Sequence, residues 1–186
     1  MKKIVFVGSG AIGTAVGNVL ARKGVDDITL LSIEEEVVES INNLRYNLTY
    51  FPNVKLSRNL KATTDINVLR DADVVFMAIP STAVVGYLIS NKEYINPKSI
   101  IVNLAKGFGK CDSLIPHCIQ DQFSNPLMMM KGPSFAREII NRQDTGFTLA
   151  CSDNKYFSEI SELFENTNVR FDFSKTKSLG FKYSKR

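Results

Sequence analysis

Lys3-Ile4-Val5-Phe6-Val7-Gly8-Ser9-Gly10-Ala11-Ile12-Gly13 decides how the rest of the chain is read. Its first half is the apolar run of a β-strand buried on both faces. Its second half is a turn with three glycines at fixed spacing, followed directly by a helical pattern. Alone, that spacing says little. Between a strand and a helix start it reads as a phosphate-binding turn. Gly8 permits the tight turn, Gly10 lets backbone approach a pyrophosphate, and Gly13 lets helix and strand pack closely. The helix N-terminus presents free N–H groups and a partial positive charge to the phosphates. Gly8, Gly10 and Gly13 are therefore candidate cofactor contacts, and a dinucleotide is the expected ligand.

Outward from that stretch, strand and helix patterns alternate. A helix over 12–23 stops at Gly24, a common helix terminator, and a strand covers 27–31. A helix over 34–43 opens on acidic residues, as the dipole favours. Residues 44–59 carry turn-forming Asn and Pro. A short strand over 62–64 leads to Asp65, the expected cap of a brief helix. Strands follow over 73–79 (stopped by Pro80), 99–103, 127–130, 145–150 and 169–173. Helices are expected over 82–89, 113–122, 135–141 and 155–165. Strands regularly separated by helices imply a Rossmann-like α/β fold, a doubly wound, mostly parallel sheet with helices on both faces.

Ligands of such sheets bind beyond the carboxyl ends of the strands. Four loops are then the places for chemistry: Ser32-Ile33-Glu34, Pro80-Ser81, Leu104-Ala105-Lys106-Gly107 and Lys131-Gly132-Pro133-Ser134. Glu34 stands near the distance at which an acidic residue takes ribose hydroxyls; it equally suits an ordinary helix start. Lys106 supplies a point charge for phosphate or carbonyl oxygen, or is a solvated loop lysine. Gly132 and Ser134, at a helix start, offer N–H and O–H donors. Lys131 reads as a commonplace strand-end lysine.

The 186 residues carry a formal charge of +4. Residues 170–186 hold six Lys/Arg against Asp172 alone, which is +5 and leaves −1 for the remainder. The basic character belongs to the tail, which argues against a nucleic-acid-binding face. No apolar run approaches the length of a bilayer span. Cys111, Cys118 and Cys151, an odd number without a CxxC pair, fit free thiols in a reducing cytoplasm. Cys111, His117 and Cys118 lack a fourth ligand and a zinc spacing, so no metal is expected.

Several segments together resemble the N-terminal half of bacterial NAD(P)-dependent glycerol-3-phosphate dehydrogenases. They are Gly8-Ser9-Gly10-Ala11-Ile12-Gly13-Thr14-Ala15, Asn47-Leu48-Thr49-Tyr50-Phe51-Pro52, Leu60-Lys61-Ala62-Thr63-Thr64-Asp65, Ala78-Ile79-Pro80-Ser81 and Ala105-Lys106-Gly107-Phe108. The most specific is Gly132-Pro133-Ser134-Phe135-Ala136-Arg137-Glu138. The resemblance implies reversible hydride transfer between dihydroxyacetone phosphate and sn-glycerol 3-phosphate, with NAD or NADP as cofactor. It implies cofactor contacts at Ala11, Ile12, Lys106 and Ala136, and substrate contacts at Lys106, Gly132 and Ser134. Pro80, by its loop, joins the cofactor set, and Ile33 and Glu34 stand near the adenosine end. The family often has a basic or imidazole side chain where Ile33 stands, so the reading leans towards NAD.

The family's catalytic lysine lies in a Gly-rich stretch opening an all-helical domain. Ser178-Leu179-Gly180-Phe181 approaches that stretch, and Lys182-Tyr183-Ser184-Lys185-Arg186 departs from it. The expected organisation is a dinucleotide-binding domain over 1–174 and a basic tail over 175–186. No catalytic residue is assigned, because the matching lysine falls beyond Arg186, and little turnover is expected of this chain alone. A homodimer, or a partner chain supplying the helical domain, is the expected assembly, in the cytoplasm.

Overall fold

The computed structural model describes residues 1–24, 26–105, 118, 122–132, 135–151 and 153–175. β1 (Lys3–Val7) lies between β2 (Asp27–Leu31) and β4 (Val74–Met77), parallel to both. Side chains of a strand alternate between its two faces. Ile4 and Phe6 accordingly join one apolar cluster, and Val5 and Val7 join the other. All four are at most 2% exposed. A strand covered on both sides must be apolar at every position, which is why 4–7 reads as an unbroken run rather than an alternating one.

The first cluster is closed by α1 (Ala11–Lys23) and α5 (Asn154–Leu163), whose Val16, Leu20 and Ile160 belong to the same core as Phe6 and Phe76. The second is closed by α3 (Ser81–Ser90), through Val84 and Leu88, and by Leu69 and Ile95. α2 (Glu35–Glu39) passes into a π-helical turn at Ser40–Leu44, ended by Arg45 at φ 64°. Asp65 caps the short 3-10 helix Ile66–Leu69, accepting from the Asn67 N–H at 2.9 Å.

β3 (Leu60–Thr63), β5 (Ile100–Asn103), β6 (Leu127–Lys131), β7 (Thr145–Cys151) and β8 (Val169–Lys175) complete an eight-stranded sheet. Its order is β3-β2-β1-β4-β5-β6-β7-β8. The chain winds one way from β1 to β3 and the other way from β4, so the order reverses between β1 and β4. Crevices at such a reversal are where open α/β sheets bind ligands. All pairs are parallel except β6 with β7. α4 (Ala136–Ile140) sits between those two strands and packs on α1.

The doubly wound, mostly parallel fold is thus as expected. β8 runs two residues past 173, because its parallel ladder with β7 continues to Cys151 opposite Lys175 and backbone pairing ignores side-chain pattern. The expected helix over 113–122 lies almost wholly outside the described residues. The three cysteines are not all free: Cys151 is a buried free thiol, whereas Cys118 is disulfide-bonded. An odd count guarantees one unpaired thiol and leaves the other two open, so the composition argument overreached. Among the described residues, no helix is long and apolar enough to cross a membrane, and no cluster of His, Cys, Asp and Glu suits a metal.

Candidate functional site

The three glycines of the turn have three different reasons. Gly8 sits at φ 109°, and a Cβ there would lie 2.7 Å from the Ala78 carbonyl oxygen. A Cβ at Gly13 would lie 2.2 Å from the Gly8 carbonyl oxygen. Both glycines are required by the protein itself, to bring α1 against the ends of β1 and β4. Gly10 differs. Its backbone is extended (φ −68°, ψ −173°), which any residue adopts, and a Cβ would meet nothing nearer than the Tyr50 ring at 3.9 Å. No packing within the protein asks for glycine at 10. What glycine leaves there is open space beside the backbone.

That space lies at an uncapped helix end. The first helical bond of α1 runs from the Thr14 N–H to the Gly10 carbonyl at 2.9 Å, so the N–H groups of Ala11, Ile12 and Gly13 have no helical partner. No side chain caps α1, and its first turn holds no acidic residue. Thirteen residues of aligned peptide dipoles end here. An anion is the ligand this end suits.

The turn is held from behind by Asn47, which is fully buried. Its Nδ2 donates to the Ser9 carbonyl at 2.8 Å and to Thr14 Oγ1 at 2.9 Å, and its Oδ1 accepts from the Tyr50 N–H. Thr14 Oγ1 itself donates to the Ser9 carbonyl. The Ser9 and Ser32 hydroxyls share a hydrogen bond of 2.7 Å, and Ser32 Oγ accepts from the Glu34 N–H at 3.0 Å. Thus the glycine turn, the end of β2 and the loop after α2 form one buried polar network. Such a network positions a site rigidly when every member is satisfied.

In front of the turn opens a cleft of about 650 Å³, within the usual range for a small-molecule site. Gly10, Ala11 and Ile12 form one wall, Ala78 to Ser81 a second, and Leu104 and Ala105 a third. Met130, Lys131, Gly132, Phe135, Ala136 and Phe147 close it. The lining is mostly apolar, as a flat aromatic ligand needs. Lys131 brings a cation to the wall, and its Nζ donates to the Ala105 carbonyl.

Of the residues expected from sequence, Gly10, Ala11, Ile12, Pro80, Gly132 and Ala136 come together in this cleft. Gly8 and Gly13 lie behind it as packing residues. Gly132 is also pressed from behind, since a Cβ there would lie 2.6 Å from the Gly146 carbonyl oxygen. Ile33 and Glu34 stand outside the cleft on the surface at the end of β2, with Ile33 96% exposed. Lys106 and Ser134 lie outside the described residues. Sequence reasoning assigned no role to Asn47, Tyr50, Phe135 or Phe147. Asn47, Tyr50 and Phe135 lie within the segments that carry the family resemblance and Phe147 does not; the bonds of Asn47 span 33 and 38 residues of chain, so its role as a brace is not marked locally.

A doubly wound sheet, a glycine turn at its reversal point and an uncapped helix end facing an apolar cleft define a Rossmann-type dinucleotide-binding domain. A family model described as the N-terminus of NAD-dependent glycerol-3-phosphate dehydrogenase matches residues 3–157. The chain belongs to that family. It is 36% identical over 174 residues to glycerol-3-phosphate dehydrogenase [NAD(P)+] of Leptospira biflexa, covering 90% of this chain and 52% of the relative. It is 32% identical over 177 residues to the enzyme of the same name from Bacillus subtilis, covering 91% and 51%. The solved glycerol-3-phosphate dehydrogenase of Coxiella burnetii superposes with a TM-score of 0.86 at 27% identity, over 93% of this chain and 54% of that one. The chain therefore spans about half the length of the relatives it matches.

Proposed function

We propose that this chain is the NAD(P)-binding part of a glycerol-3-phosphate dehydrogenase, acting in reversible hydride transfer between dihydroxyacetone phosphate and sn-glycerol 3-phosphate. The observation that carries the reading is the open space at Gly10, which protein packing leaves unexplained and a pyrophosphate would fill. In this reading the N–H groups of Ala11 and Ile12 take the pyrophosphate. Pro80 and Ala136 flank the nicotinamide half, and Ile33 and Glu34 the adenosine half. When bound, the nicotinamide ring supplies or accepts the hydride. The chain's part is to orient that ring in an apolar cleft and exclude water around it. Lys106, Gly132 and Ser134 are the proposed substrate contacts; Lys106 and Ser134 rest on their loop positions in the sequence and on the resemblance.

NAD is the favoured cofactor. Ile33 offers no charge to a 2′-phosphate, and the Glu34 carboxylate beside it repels one. The lysine that handles the substrate proton is proposed to lie beyond Arg186, in a helical half supplied by continuing chain or by a partner; a homodimer belongs to the same proposal. Residues 1–174 are the proposed domain and 175–186 the segment leading out of it. The cytoplasm is the proposed location, where nicotinamide coenzymes and phosphorylated trioses are held in common; the Cys118 disulfide is the observation that stands against it.

The test is reduction of dihydroxyacetone phosphate by the isolated 186-residue chain beside a full-length relative. The chain is expected to bind dinucleotide and to turn over at least about 10²-fold more slowly, the usual cost of a lost general acid. Equal turnover would contradict the proposal.

A further inference from the structure

A second cavity, of about 460 Å³, opens at the other end of α1. It shares no lining residue with the cleft. Arg22 lies eleven residues along the helix from Ala11, about 16 Å at the helical rise. Val19, Arg22 and Lys23 come from α1, Arg142 from the turn after α4, and Asn166 to Asn168 from the segment before β8.

Its walls are basic and short of partners. Arg22 Nη1 is buried without a hydrogen bond. Burial, and then the charge of Arg142, lower the Arg22 pKa from its ordinary value. An arginine stays charged under such pressure, so two like charges face one cavity. Among the described residues, no carboxylate forms an ion pair with either guanidinium. Lys23 is already engaged, donating to the Glu162 and Leu163 carbonyls that end α5. Thr167 and Asn168 are engaged as well, through the Phe164, Ile139 and Gln143 carbonyls. What remains for a ligand is two guanidinium groups and the Asn166 side chain. Buried polar atoms in native proteins almost always have a partner, and an orphan points to an ion or solvent that completes it. Guanidinium forks match phosphate oxygens two at a time.

We infer that the cavity between Arg22 and Arg142 is a phosphate-binding site, separate from the dinucleotide cleft. The volume exceeds what a bare ion fills, so a phosphate monoester of a small metabolite is the expected ligand. The donors satisfy its charged oxygens, and Val19 lies against its carbon part.

The experiment is calorimetric titration of the 186-residue chain with inorganic phosphate and, separately, methyl phosphate, at ionic strength matched with chloride. The wild type should bind one phosphate group at this site. Arg22→Gln should weaken that binding at least about tenfold, as loss of a charge-assisted hydrogen bond does. Arg142→Gln, at an exposed position, should weaken it without any question of folding. Phosphate could also enter the glycine turn, so the titration is repeated in Gly10→Val, where binding at Arg22 should persist. Tighter binding of the ester identifies a phosphorylated metabolite as the source, and tighter binding of the free ion identifies inorganic phosphate. No binding to the wild type, undiminished binding to both arginine variants, or loss of binding in Gly10→Val would each overturn the inference.

Discussion

At position 33, one side chain decides more than its surroundings do. Ile33 is 96% exposed, so its identity is free of packing and open to selection by a ligand. It follows Ser32, whose hydroxyl ties the end of β2 to the glycine turn. In the proposed binding mode, an arginine there would pair with a 2′-phosphate. Ile33→Arg is therefore expected to raise the ratio of NADPH to NADH affinity at least about tenfold, one good charge-assisted contact's worth, with an unchanged melting temperature. Competitive titration of both cofactors checks this, and an unmoved ratio would remove Ile33 from the adenosine end. At this scale the glycine turn was legible, because local chirality and helix-end chemistry impose it on neighbouring residues. The segment opening at Asn47 was legible as a family-like motif, but the role of Asn47 was not, because its bonds to Ser9 and Thr14 bridge segments 38 and 33 residues apart.

Among elements, the strands were the most legible, since burial on both faces forces an apolar run. Their directions were less so. The turn from β6 into β7 reverses direction, with only the five-residue α4 between them. The 13 residues between them (132–144) are long enough for a parallel crossover, and apolar patterning carries no sign of direction, so nothing in the sequence separates the two outcomes. α5 shows how an edge helix is tied to the centre. Phe6 and Phe76 stack with ring centroids 4.5 Å apart, and Phe164, just after α5, meets Phe76 edge-on at 6.3 Å. Phe164 is 1% exposed and also packs edge-on against Phe171 of β8. Phe164→Ala should cost about 3–5 kcal/mol, the usual range for deleting a buried phenyl ring. Urea denaturation reads it, and a loss below about 1 kcal/mol would show that α5 is not anchored through this residue.

As a whole, the chain spans about half the length of the relatives it matches. Its cleft lies where the strand order reverses, its walls come from elements scattered between residues 10 and 147, and the basic character sits in the final segment. The central claim is narrower: the open space at Gly10 is a seat for the diphosphate of a nicotinamide dinucleotide. Calorimetric titration of NADH into the wild-type and Gly10→Val chains tests it directly. The extended backbone at 10 admits a side chain, and a Cβ there would lie 3.9 Å from the Tyr50 ring, so the ligand-free variant should keep its fold and melt lower by no more than the loss of a favoured N-cap residue. Its affinity for NADH should fall at least about 100-fold, because the side chain fills the diphosphate seat. Equal affinity in the two chains would contradict the account.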